Sequence, residues 1–78
     1  MNKLERRYDR LTDNNDHNEA AMLLIKTFGT QEEKEIMEGI IKRHERLGYI
    51  EDADRILRYE ISNKYYKLLR MYNKTIKQ

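Results

Sequence analysis

Two side chains in this sequence have the chemistry to hold a nucleotide. Tyr8 stands among Arg6, Arg7 and Arg10, and Lys26 ends the apolar run of "MLLIKTFG", residues 22–29. An aromatic face stacks on a nucleobase, and an ammonium or guanidinium neutralises its phosphate. Both residues also have plainer uses. Tyr8 falls between Leu4 and Leu11 on one helical face, where it would serve as core. A lysine in the last turn of a helix bonds free carbonyls and opposes the negative end of the dipole.

Catalytic chemistry has much less to draw on. The chain has no cysteine, a single serine (Ser62), and two histidines, His17 and His44, in different predicted elements. His44 lies on an apolar stripe, which suits a packed or capping histidine better than a base. "HER" at 44–46 lacks the HExxH zinc spacing, and no phosphate-binding glycine loop is present. "DNNDHN" at 13–18 lacks a calcium loop's glycine and puts Leu24 where its bidentate glutamate belongs. No enzyme, cofactor or metal site is expected.

The elements that must position Tyr8 and Lys26 read as helices throughout. Proline is absent, glycine appears three times, and Lys, Glu, Leu and Ile recur at helical spacing. The expected helices are about 3–12, 17–28, 31–47 and 52–74. Asp16 with Glu19 and Thr30 with Glu33 fit capping boxes, Gly29 is placed to end the second helix in a left-handed conformation, and Gly48 terminates the third. The third helix shows a stripe of Ile36, Met37, Ile40, Ile41, His44 and Leu47. The fourth shows Ile56, Leu57, Ile61, Tyr65, Leu68 and Tyr72. The fold class is therefore all-α: short N-terminal helices packed on an antiparallel hairpin of the two long ones, in one domain over residues 1–78.

Length and charge narrow the partners. Seventy-eight residues make a thin core, and oligomerisation is a common remedy. "AAMLLI" is apolar nearly all round, and Tyr59, Tyr66 and Leu69 lie off the fourth helix's stripe, so a homo-oligomer is expected. No apolar run reaches membrane-spanning length, and the expected location is the cytoplasm. The net charge is +2, but residues 1–12 are basic, 13–38 acidic and 39–78 basic. A helix–Gly29–helix rhythm suggests a DNA reader, but its second helix opens "TQEEKE", which points acids at phosphates, so specific DNA binding is not expected.

The order of residues resembles a family of small phage proteins, the anti-CBASS sponges of cyclic oligonucleotide signals, whose helical hairpin is shared with anti-Thoeris proteins. "YDRLT" from Tyr8 to Thr12 and Met22, Ile25, Lys26 and Gly29 of "MLLIKTFG" are similar to the family's first segments. "ILRYEISNKYYKLLR" is similar to its last helix at Ile56, Arg58, Ile61, Tyr65, Tyr66, Leu68 and Arg70. The resemblance implies a hexamer with a cyclic dinucleotide held between protomers. Tyr8 would stack on a base, Lys26 would meet the phosphate ring, and Arg58 would contact a second pocket; a cyclic trinucleotide is a further candidate ligand. The implied activity is sequestration of an immune signal in the host cytoplasm, without chemistry. Two other readings stand beside it. One is a helical module that docks on a host protein; the other is a basic protein that contacts nucleic acid through Arg55, Arg58, Lys64, Lys67 and Arg70.

Overall fold

The structure is a computed structural model, describing the backbone of residues 3–76 and the side chains of residues 3–71. Four helices follow one another: α1 (Lys3–Asp13), α2 (His17–Phe28), α3 (Gln31–Leu47) and α4 (Asp52–Ile76). There is no strand among the described residues, and the fold is all-helical. No helix among them is long and apolar enough to cross a membrane.

The helix ends show which local signals acted. Thr30 accepts a hydrogen bond from the Glu33 N–H at 3.1 Å, and Glu33 accepts one from the Thr30 N–H at 3.0 Å, so this capping box forms. Asp16 precedes α2, but its side chain makes no cap hydrogen bond, so the box expected with Glu19 does not form. Gly48 ends α3 at φ 82, the left-handed conformation a glycine adopts without a Cβ clash. Gly29 ends α2 in an extended conformation instead, at φ −89 and ψ −175. Its requirement is space: a Cβ there would sit 2.8 Å from the Ile25 carbonyl oxygen.

The short α2 is the hub, packing on α1, α3 and α4, and most extensively on α4. Its all-round apolarity has this cause. Ala20 is buried, and Ala21, Met22, Leu24 and Ile25 pack in one core with Met37 and Ile40 of α3 and Ile61, Tyr65 and Leu69 of α4. Each fully buried Leu, Ile or Met contributes about 1.5–3 kcal/mol. The antiparallel α3 and α4 touch each other more sparingly than either touches α2.

The core row of α4 differs from the stripe expected for it. Asp54, Ile61, Tyr65 and Leu69 face inward, whereas Ile56 and Leu68 are 59% and 43% exposed. The reason is polar. Asp54 takes an inward position because Arg43 grips it with two hydrogen bonds of 2.8 Å, which hold the Asp54 carboxyl below its usual range. Tyr72 of the expected stripe lies outside the described side chains.

Three more ties hold α4 in place. Glu33, already in its capping box, meets Lys64 at 2.6 Å and accepts a hydrogen bond from the Tyr65 hydroxyl. The Tyr65 ring stacks on Phe28 at 6.4 Å between centroids. At the other end of the chain, Arg70 pairs with Glu5, which is only 3% exposed, and with Asp9 at 3.2 Å. Arg70 also donates to the Tyr66 hydroxyl at 2.8 Å and lies over that ring. Burial opposes the Arg70 charge, but these hydrogen bonds outweigh it and hold the guanidinium above its usual pKa.

Candidate ligand clefts

Both acids near Arg70 come from the inward side of α1, and this decides what the helix shows to solvent. At 100° per residue, Lys3, Arg6, Arg7 and Arg10 share an arc of about 100° on the outward side. Among the described residues these four line a shallow cleft of about 460 Å³, and none makes an ion pair there. Like charges three and four residues apart repel, and cations in the first turn oppose the helix dipole. An anion laid along this face would relieve both costs.

Tyr8 lies on the flank of α1 that faces α4. Its ring packs against Tyr66 with centroids 5.5 Å apart and planes tilted by 49°. It is half-buried, and lines a cleft of about 270 Å³ with Tyr59, Ser62, Asn63 and Tyr66. Burial first, and then the neighbouring Tyr66, push the Tyr8 phenol above its usual pKa, so it offers a neutral hydroxyl at physiological pH. The cleft supplies aromatic faces with hydroxyl and amide groups beside them, which suits a planar heterocycle.

Lys26 lies on the other flank, where α1 meets α2. It is exposed and lines a smaller cleft of about 160 Å³ with Arg7, Leu11, Glu19, Met22 and Leu23. Its ammonium makes no hydrogen bond or ion pair among the described residues, so it is not spent on the helix end. Within one chain, then, Tyr8 and Lys26 open into different clefts, and the cation that shares a cleft with Lys26 is Arg7.

Arg58 stands in a fourth cleft, of about 330 Å³, at the start of α2. It is half-buried and donates to the Asn18 side-chain oxygen at 2.6 Å. Because arginine only donates, the Asn18 amide must turn its nitrogen to His44 Nδ1, 2.8 Å away, and that nitrogen accepts. Burial, and then Arg55 nearby, lower the Arg58 pKa, and no carboxylate pairs with it among the described residues. No family model, curated protein or solved structure matches this chain.

Among these groups, the aromatic partners of Tyr8 had a signal in the sequence. Tyr59, Ser62, Asn63 and Tyr66 follow the i, i+3, i+4, i+7 spacing of a single helical face. The pairing of Arg7 with Lys26 had none. It depends on which neighbour each flank of α1 meets.

Proposed function

We propose that this chain binds a cyclic dinucleotide, with a trinucleotide as a further candidate, and sequesters it without chemistry, countering host anti-phage defence. The observation that carries the reading is the make-up of α1 and its borders. One flank offers the tyrosine-lined cleft of Tyr8, and the other offers Arg7 and Lys26, cations without an ion pair among the described residues. Aromatic faces for bases and cations for two phosphodiesters are what such a ligand needs. Since the two clefts flank α1 on different sides, the ligand lies at a seam between copies, Tyr8 coming from one chain and Lys26 from the next. Arg58, whose guanidinium pairs with no carboxylate among the described residues, serves a separate anionic contact. The resemblance to anti-CBASS sponges supports the same assignment and a hexameric assembly.

Thermal melting against a panel of cyclic di- and trinucleotides tests this. A ligand present at a hundred times its dissociation constant stabilises the native state by about 2.7 kcal/mol, or roughly 10–20 °C in a chain of this size. Tyr8→Ala and Lys26→Ala are expected to lose the shift while keeping the helical circular dichroism of the parent. No shift with any ligand of the panel overturns the reading. The exposed Ile56, Tyr59 and Leu68 would then favour a module that docks on a host protein.

A further inference from the structure

The exposed flank of α4 around Lys64 has an order that reads the same in reverse. At 100° per residue, Leu57 and Leu68 lie along one edge of this face, three turns apart. Glu60 and Lys67 lie two turns apart along its other edge. All four are exposed; Leu57 is 36% and Leu68 43% accessible. Neither Glu60 nor Lys67 makes an ion pair among the described residues.

We propose that this face is a self-complementary docking surface, on which the α4 of a second copy of the chain lies antiparallel. A twofold axis perpendicular to both helices keeps each residue on its own edge and reverses the direction of the chain. Leu57 then meets Leu68 of the second copy, and Glu60 meets Lys67 of the second copy, each contact occurring twice. The midpoints of the two pairs differ by one residue, about 1.5 Å along the axis, so one axis near Ser62 and Asn63 serves both.

The centre of the face would otherwise bring two Lys64 ammonium groups together. Glu33 removes that difficulty, holding Lys64 at 2.6 Å within its own chain. A parallel arrangement about a twofold axis exchanges the two edges, setting Leu57 and Leu68 against the charged edge of Glu60 and Lys67, so it loses the apolar and the opposite-charge contacts together. Symmetry under reversal identifies the occupant: an unrelated helix has no reason to carry the matching order, whereas a second copy carries it by construction. Apolar contacts along one edge and opposite charges along the other are how paired helices set orientation.

This inference does not use the ligand reading, and its test needs no ligand. Sedimentation of the full chain measures the association constant of the parent, of Glu60→Lys, and of Glu60→Lys combined with Lys67→Glu. The parent is expected to associate in even-numbered species. Glu60→Lys places like charges opposite each other twice and weakens association by roughly tenfold or more. The double exchange restores it, because each pair is again opposite in sign. Leu57→Asp with Leu68→Asp is expected to give monomers with unchanged helical content, these side chains lying outside the core. A monomeric parent overturns the proposal. So does an assembly indifferent to Glu60→Lys, and so does a double exchange that fails to restore association.

Discussion

Replacing Glu33 with glutamine probes the joint that fixes the start of α3 to the middle of α4. Glutamine keeps the size of the side chain and an oxygen for the Thr30 N–H, but removes the charge facing Lys64. The Lys64 hydrogen bond first, then that from Tyr65, hold the Glu33 pKa at about 2, against an ordinary 4.5, while burial works the other way. A fall of that size is equivalent to about 3.4 kcal/mol if none of it is screened. The Lys64 side chain is 57% exposed, however, and solvent screens the largest contribution, so about 1.5–2 kcal/mol is expected. Because the folded-state pKa is depressed, this stability is present in full above the unfolded value of about 4.5. It is lost as pH falls from there toward about 2. Urea unfolding followed by circular dichroism, at one protein concentration and at several pH values from about 7 down to about 2.5, measures it. At neutral pH the glutamine variant should be less stable by that amount. The gap should narrow below about pH 4.5 and nearly close at the acid end. A gap that stays constant across the range refutes the assignment of the stabilisation to the Glu33 charge.

Arg70→Met leaves the buried Glu5 carboxylate without its guanidinium and is expected to cost roughly 3 kcal/mol, lowering Tm by more than about 10 °C; adding Glu5→Gln should recover part of the loss. The two helix-ending glycines should separate by cause in thermal melts. At Gly48, with φ 82 and open space around it, alanine should cost about 1 kcal/mol and asparagine less. At Gly29 both substitutions should cost about 1–3 kcal/mol, because any Cβ meets the Ile25 carbonyl oxygen.

Much of the fold was legible because its signals are local. The absence of proline, the 3.6-residue apolar period and the Thr30–Glu33 box each act within a few residues. The inward row of α4 was misread for the opposite reason. Asp54 and Arg58 look like surface residues until Arg43, eleven residues back, and Asn18, forty residues back, are seen to bond them. Asp16 has a capping residue's identity but not its hydrogen bond, since its backbone takes φ −85 and ψ 60 ahead of α2. For the candidate site, residue types were readable and grouping was not. Tyr8 and Arg7 are chain neighbours, yet a step of 100° along α1 sends one toward α4 and the other toward α2.

The central place of α2 also bears on how the chain opens. With the long helices meeting mainly through this twelve-residue segment, α3 and α4 keep only a sparse mutual contact and the polar ties of Arg43 and Glu33 once α2 departs. The amides of all three should therefore exchange with deuterium at a common free energy, as a single cooperative unit, and a fragment that begins after Gly29 should be a statistical coil.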